Sequence, residues 1–167
     1  YGAANQLVTV VPQIVVALHT VVAPKMAGMG SIADLINYIK KTQVLVLGLA
    51  ALGLAVSPVI LVLIPLLYGP LFAPFVPSLF FILLLAMLIF LISVPIHMSI
   101  FYYFGYPQLF VWLSAGHMLI IGFLGWCLIS LYGAMGAALT VLVGMVFNLI
   151  VPLIWVLNKI REVRGGK

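Results

Sequence analysis

TQVLVLGLAALGLAVSPVILVLIPLL, residues 42–67, opens a stretch of 117 residues, Thr42 to Asn158, that contains no Asp, Glu, Lys or Arg. A helical membrane span needs about 20 apolar residues, so this stretch alone holds roughly four of them. Over the whole chain 66% of residues are hydrophobic and 5% charged, against about 25% charged in an ordinary soluble domain. That balance excludes a water-soluble monomer, and it excludes a disordered chain, which would be charge-rich and poor in apolar residues. A single cysteine excludes a disulfide-stapled fold; Cys127, inside an apolar stretch, reads as a small packing residue.

Runs such as Leu79-Phe80-Phe81-Ile82-Leu83-Leu84-Leu85 do not alternate polar with apolar, as barrel strands would. Helix is the remaining way to satisfy every backbone group in lipid. The fold expected is therefore all-α, a polytopic helical membrane protein. Gly, Pro and charge punctuate it into five spans, at about 7–23, 42–67, 77–103, 108–131 and 137–157. Pro24-Lys25 closes the first, and Pro58 and Pro65 are positions at which the long second span can bend. Tyr68-Gly69-Pro70 reads as a turn, as do Phe104-Gly105-Tyr106-Pro107 and Tyr132-Gly133-Ala134-Met135-Gly136. The aromatic residues from Phe101 to Tyr106 suit a headgroup belt.

A different helix is expected over 31–41. Ser31-Ile32-Ala33-Asp34 reads as a capping box with Asp in place of Glu. Ile32, Leu35, Ile36 and Ile39 then form an apolar stripe, with Asp34, Asn37 and Lys41 away from it. This pattern predicts an amphipathic helix lying at the cytoplasmic interface.

Net charge is +5, yet nothing points to nucleic acid. The basic residues are Lys25, Lys40 and Lys41 between the first two spans, and Lys159, Arg161, Arg164 and Lys167 in a basic tail over 159–167. Five alternating crossings put both groups on one face, so a cytoplasmic C-terminus satisfies the positive-inside rule without exception. The first span then begins outside. The chain opens Tyr1-Gly2-Ala3-Ala4 rather than with Met and lacks a signal peptide's pattern, so further helices of the same polypeptide are expected before it.

Ionisable and polar side chains within spans are candidates for a substrate path. His97 shares a helix face with Ser93 and stands near the end of its span; His117 is deeper, with Ser114 one turn before; His19 sits one turn before the basic loop. In the fifth span Gly136, Thr140, Gly144, Asn148 and Pro152 recur every four residues. Such a stripe serves close helix packing, or with Asn148 and Thr140 it walls a cavity. His117, Asn148, Thr140, Ser114 and His97 are thus the candidate cavity-lining residues. No carboxylate pair, metal-spaced cluster, nucleotide loop or nucleophile elbow is present, so neither an enzyme nor a cofactor is expected.

The order of features resembles the C-terminal part of polysaccharide flippases of the multidrug/oligosaccharidyl-lipid/polysaccharide exporter superfamily, the O-antigen and teichoic-acid type. The resemblance rests on Val11-Pro12 in a span ending Val22-Ala23-Pro24-Lys25-Met26, on Leu66-Leu67-Tyr68-Gly69 followed by Phe72 and Pro74, and above all on Leu131-Tyr132-Gly133-Ala134-Met135-Gly136-Ala137-Ala138. It implies a multi-pass protein of the plasma (prokaryotic cytoplasmic) membrane. There two helical bundles would surround a cavity that opens to either side in turn and moves a lipid-linked glycan. The chain departs from relatives in two ways: the 104–108 turn carries no basic residue, and no cationic residue lies within the later spans to grip a diphosphate. A multidrug and toxin extrusion type exporter of the same superfamily, and a structural membrane protein or fragment without transport activity, are the alternative readings.

Overall fold

A computed structural model describes residues 1–69 and 76–165. These residues form helices α1 (Gly2–Val8), α2 (Val10–Ala27), α3 (Ile32–Tyr68), α4 (Val76–Met98), a π-helical turn (Ser99–Tyr103), α5 (Gln108–Tyr132) and α6 (Ala134–Gly165). Taking α1 with α2, and α4 with its π turn, five helices are long and apolar enough to cross a membrane. Large apolar side chains stand in the open along their outer faces, Val62 at 78%, Leu66 at 81% and Trp126 at 82% exposure. Water does not tolerate so continuous an apolar surface; lipid does.

Prolines set the local shape. Pro12 has no N–H for the Val8 carbonyl and its ring crowds that oxygen, and α1 ends at Val8, with Thr9 as the joint and its hydroxyl donating to Gln6 O at 2.6 Å. Thus the first span starts at Gly2 rather than near Leu7, in two pieces. It also runs past Pro24-Lys25 to Ala27. Pro58 is absorbed differently: the carbonyl it leaves unpaired is that of Leu54, and Ser57 Oγ donates to that same oxygen at 2.7 Å.

The expected interfacial helix is not a separate element. Ser31 caps it as read from the sequence, accepting from Asp34 N at 3.1 Å and donating to Asp34 Oδ2 at 2.6 Å. From there α3 continues for 37 residues with no break at Lys41-Thr42. No proline stands between Ile32 and Ser57 to interrupt the helix. Its apolar stripe has a protein partner, since Leu35 is fully buried and Ile32 and Ile39 pack on the same core. Tyr68 ends α3 at Gly69, whose φ of +82° suits glycine. Pro70, Phe72, Pro74 and Lys167 lie outside the described residues. The basic residues Lys159, Arg161 and Arg164 belong to α6 itself, not to a tail beyond it.

Helix α4 is the hub. It packs against α1, α2, α3 and α6, and its buried side chains, Phe80, Leu83, Leu91 and Val94 among them, form the centre of the core. Helix α5 lies at the margin and packs on α6. The 104–107 turn uses Gly105 at φ +60°, and the α5–α6 hairpin uses Gly133 at φ +54°. Aromatic residues of the first of these turns pack on protein: Phe104 meets Trp155 edge-on at 5.5 Å, and Tyr106 stacks on the same indole at 5.4 Å.

Candidate functional site

The α5–α6 hairpin is a close antiparallel pair built on glycines. A Cβ placed at Gly136 would overlap the backbone carbonyl of Leu128, so the two helices approach to backbone contact there. Further along, Gly116 receives the ring of Phe147, with an added Cβ 2.8 Å from its Cζ. Gly144 in turn receives the ring of His117, with an added Cβ 2.7 Å from Cε1. Most of the four-residue stripe is therefore a packing face. Thr140, a candidate for lining a cavity, is 2% exposed; its hydroxyl donates to Gly136 O at 2.8 Å and its methyl lies against Gly125. It sits inside the helix contact rather than on a cavity wall.

Where the stripe reaches Asn148 the contact becomes polar. Asn148 Nδ2 is 2.7 Å from His117 Nδ1. An amide nitrogen can only donate, so His117 Nδ1 accepts and the ring's proton is on Nε2. The backbone oxygen of the same Asn148 takes a second bond, 2.8 Å from His97 Nε2. A carbonyl can only accept, so His97 carries its proton on Nε2. One residue of α6 thus joins histidines from α4 and α5.

The His97 bond has a specific cause. Pro152 follows Asn148 by four residues, so the Asn148 carbonyl is the one that loses its helical N–H. In lipid such an oxygen needs a partner from a neighbouring helix, and His97 supplies it. Its ring is steadied edge-on against Phe110, with centroids 5.5 Å apart. Gln43 of α3 also donates to a backbone oxygen of α4, Ile92 O at 3.2 Å, next to the Leu91 carbonyl that Pro95 leaves without its helical N–H.

Ser114, His117 and Asn148, with Met118 and Ile121, line an open cleft of about 550 Å³ on the α5–α6 face. It presents a hydroxyl, an imidazole and the amide oxygen of Asn148. No charged residue lines it. Asn148 stands about 3 Å along the axis from the middle of the charge-free part of α6. His97 lines a separate cleft of about 400 Å³ with His19, Phe101 and Phe110. Of the five candidate residues, three are therefore gathered in one cleft, His97 touches that group only through the Asn148 backbone, and Thr140 is apart. Among the described residues no three His, Cys, Asp or Glu side chains gather to hold a metal ion.

The pairing of His117 with Asn148 is a register effect that reading each helix alone misses. Counted outward from the Tyr132-Gly133 turn, both residues stand fifteen positions away, and Gly125 and Thr140 both stand seven away. The turn residues were visible, and folding the chain about them would have brought these pairs together. No known protein family, curated protein or solved structure matches this chain.

Proposed function

We propose that the chain is the C-terminal helical bundle of a membrane flippase that exports a lipid-linked oligosaccharide or polysaccharide precursor by alternating access. The observation that carries this reading is the Ser114–His117–Asn148 cleft, an uncharged recess with polar groups near the middle of the charge-free part of α6. Binding sites of secondary transporters lie near the bilayer midplane between helical repeats. Neutral donors and acceptors suit sugar hydroxyls, whereas an anionic diphosphate would call for cations, supplied in this reading by helices upstream in the same polypeptide. The C-terminus is cytoplasmic, and the bundle's open α5 side faces the transport cavity.

A second reading, a non-transporting membrane scaffold, draws on a different observation: His97 is committed to a backbone oxygen that Pro152 exposes, which is a structural task. Thiol accessibility separates the two. With Cys127→Ala as background, Ser114→Cys in the full protein reacts with a membrane-impermeant polar thiol reagent, and a lipid-linked glycan slows the reaction. Phe123→Cys, on the exposed apolar face of α5, does not react. Equal inertness of the two cysteines from both sides of the membrane removes the transport reading.

A further inference from the structure

An apolar groove of about 390 Å³ runs between α3, α4 and α6, away from the polar cleft. Its long wall on α6 extends from Leu149 to Ile160, about 16 Å of helix. That is the depth of one leaflet, half of the roughly 30 Å hydrocarbon core. The wall ends beside Lys159, the first charge after the charge-free stretch. Lys40 of α3 is the one charged residue lining the groove. Arg161 and Arg164 follow the lining residues Leu157 and Ile160 by one helical turn, so they continue the same face of α6.

Of the six described basic residues, four are free to meet an anion. Lys159 is held by Glu162 at 2.8 Å, and Lys25 lies over the Tyr38 ring at 5.7 Å. Lys40, Lys41, Arg161 and Arg164 make no ion pair among the described residues. An apolar wall one leaflet deep, lined by the unpaired Lys40 and continued along α6 by Arg161 and Arg164, is complementary in shape and charge to an acyl chain carrying an anionic headgroup. A second copy of this chain fits less well, because a symmetric contact would set the same cations against each other.

We infer that this groove is a binding site for one anionic phospholipid of the leaflet on the basic side, its headgroup at Lys40 and its acyl chain along α6. The assignment is independent of the transport reading. It is tested on the full chain reconstituted in nanodiscs of equal phosphatidylglycerol and phosphatidylcholine, with retained lipid counted by native mass spectrometry. The wild type retains one phosphatidylglycerol in preference to phosphatidylcholine. Lys40→Gln, at an exposed position, lowers that preference about fivefold, the worth of one surface cation. Leu157→Trp, at the groove's exposed rim, fills it, keeps the cations and the helicity, and loses the retained lipid. Equal retention of both lipids by the wild type, or no effect of Lys40→Gln, overturns the inference. So does displacement by an equimolar polyprenyl phosphate, which would make the groove a seat for lipid-linked cargo. A disulfide between copies carrying Leu157→Cys would give the groove to a second chain and overturn it as well.

Discussion

Replacing His97 with Phe keeps a ring against Phe110 and removes one donor, the proton given to the carbonyl that Pro152 strips of its helical partner. An unpaired buried carbonyl costs about 1–3 kcal/mol, and measured interhelical hydrogen bonds in membrane bundles average about 0.6 with a ceiling near 1.7 kcal/mol. Together these place the donor's worth at about 1 kcal/mol. Pro152→Ala supplies the diagnostic background, because residue 152 then has an N–H of its own for Asn148 O. His97→Phe is expected to cost about 1 kcal/mol more in the wild type than in Pro152→Ala. Any loss of ring polarity common to both backgrounds cancels in the cycle. The assay is unfolding of the full chain in mixed micelles by titration with sodium dodecyl sulfate, followed by helicity. A coupling energy below about 0.4 kcal/mol, the scatter seen between independent sites, would show that the bond does not serve the proline and would refute the argument.

Two further outcomes follow from the hairpin and from the charges. Gly136→Ala places a methyl against the Leu128 carbonyl, where backbone cannot give way as a side-chain tip would. It should lower stability by about 1–3 kcal/mol, whereas Gly122→Ala, with open space around it, should be neutral or stabilising in the same unfolding assay. For topology, Tyr132→Cys in the Cys127→Ala background, at an exposed position beside the turn, should be labelled from outside intact cells, while a reporter fused after Lys167 should be active in the cytoplasm. Reversed locations would overturn the orientation taken from the basic residues.

The number of spans was legible because hydropathy and punctuation are local properties. Thr42 to Asn158 carries no charge, and the glycine turns at Gly69, Gly105 and Gly133 stand where the helices end. Helix ends were less legible. Pro24 was expected to close its helix and did not, because a proline in the last turn removes a single hydrogen bond and the chain continued to Ala27. The Ile32 to Ile39 stripe showed that one face seeks an apolar partner, but periodicity is the same whether that partner is lipid or the protein's own core. Of the candidate cleft, the residue types were visible and their grouping was not. Thr140 and Asn148 share a stripe, yet only the distance between helices decides which is sealed in. Near Gly136 the backbones touch; by Asn148 an imidazole stands between them. The task of His97 was readable in principle, since a proline four residues past Asn148 announces a needy carbonyl, but the helix that answers it is fixed by tertiary packing.

Helix α3 carries no proline from Ile32 to Ser57, a stiff rod of about 39 Å. Its capped start, Lys40 and the buried part of its span share one rigid axis. The first ten residues form an arm of about 15 Å, so tilting the span by ten degrees sweeps the arm's tip sideways by about 3 Å. A label near Ser31 would therefore report on movements made much farther along the same helix.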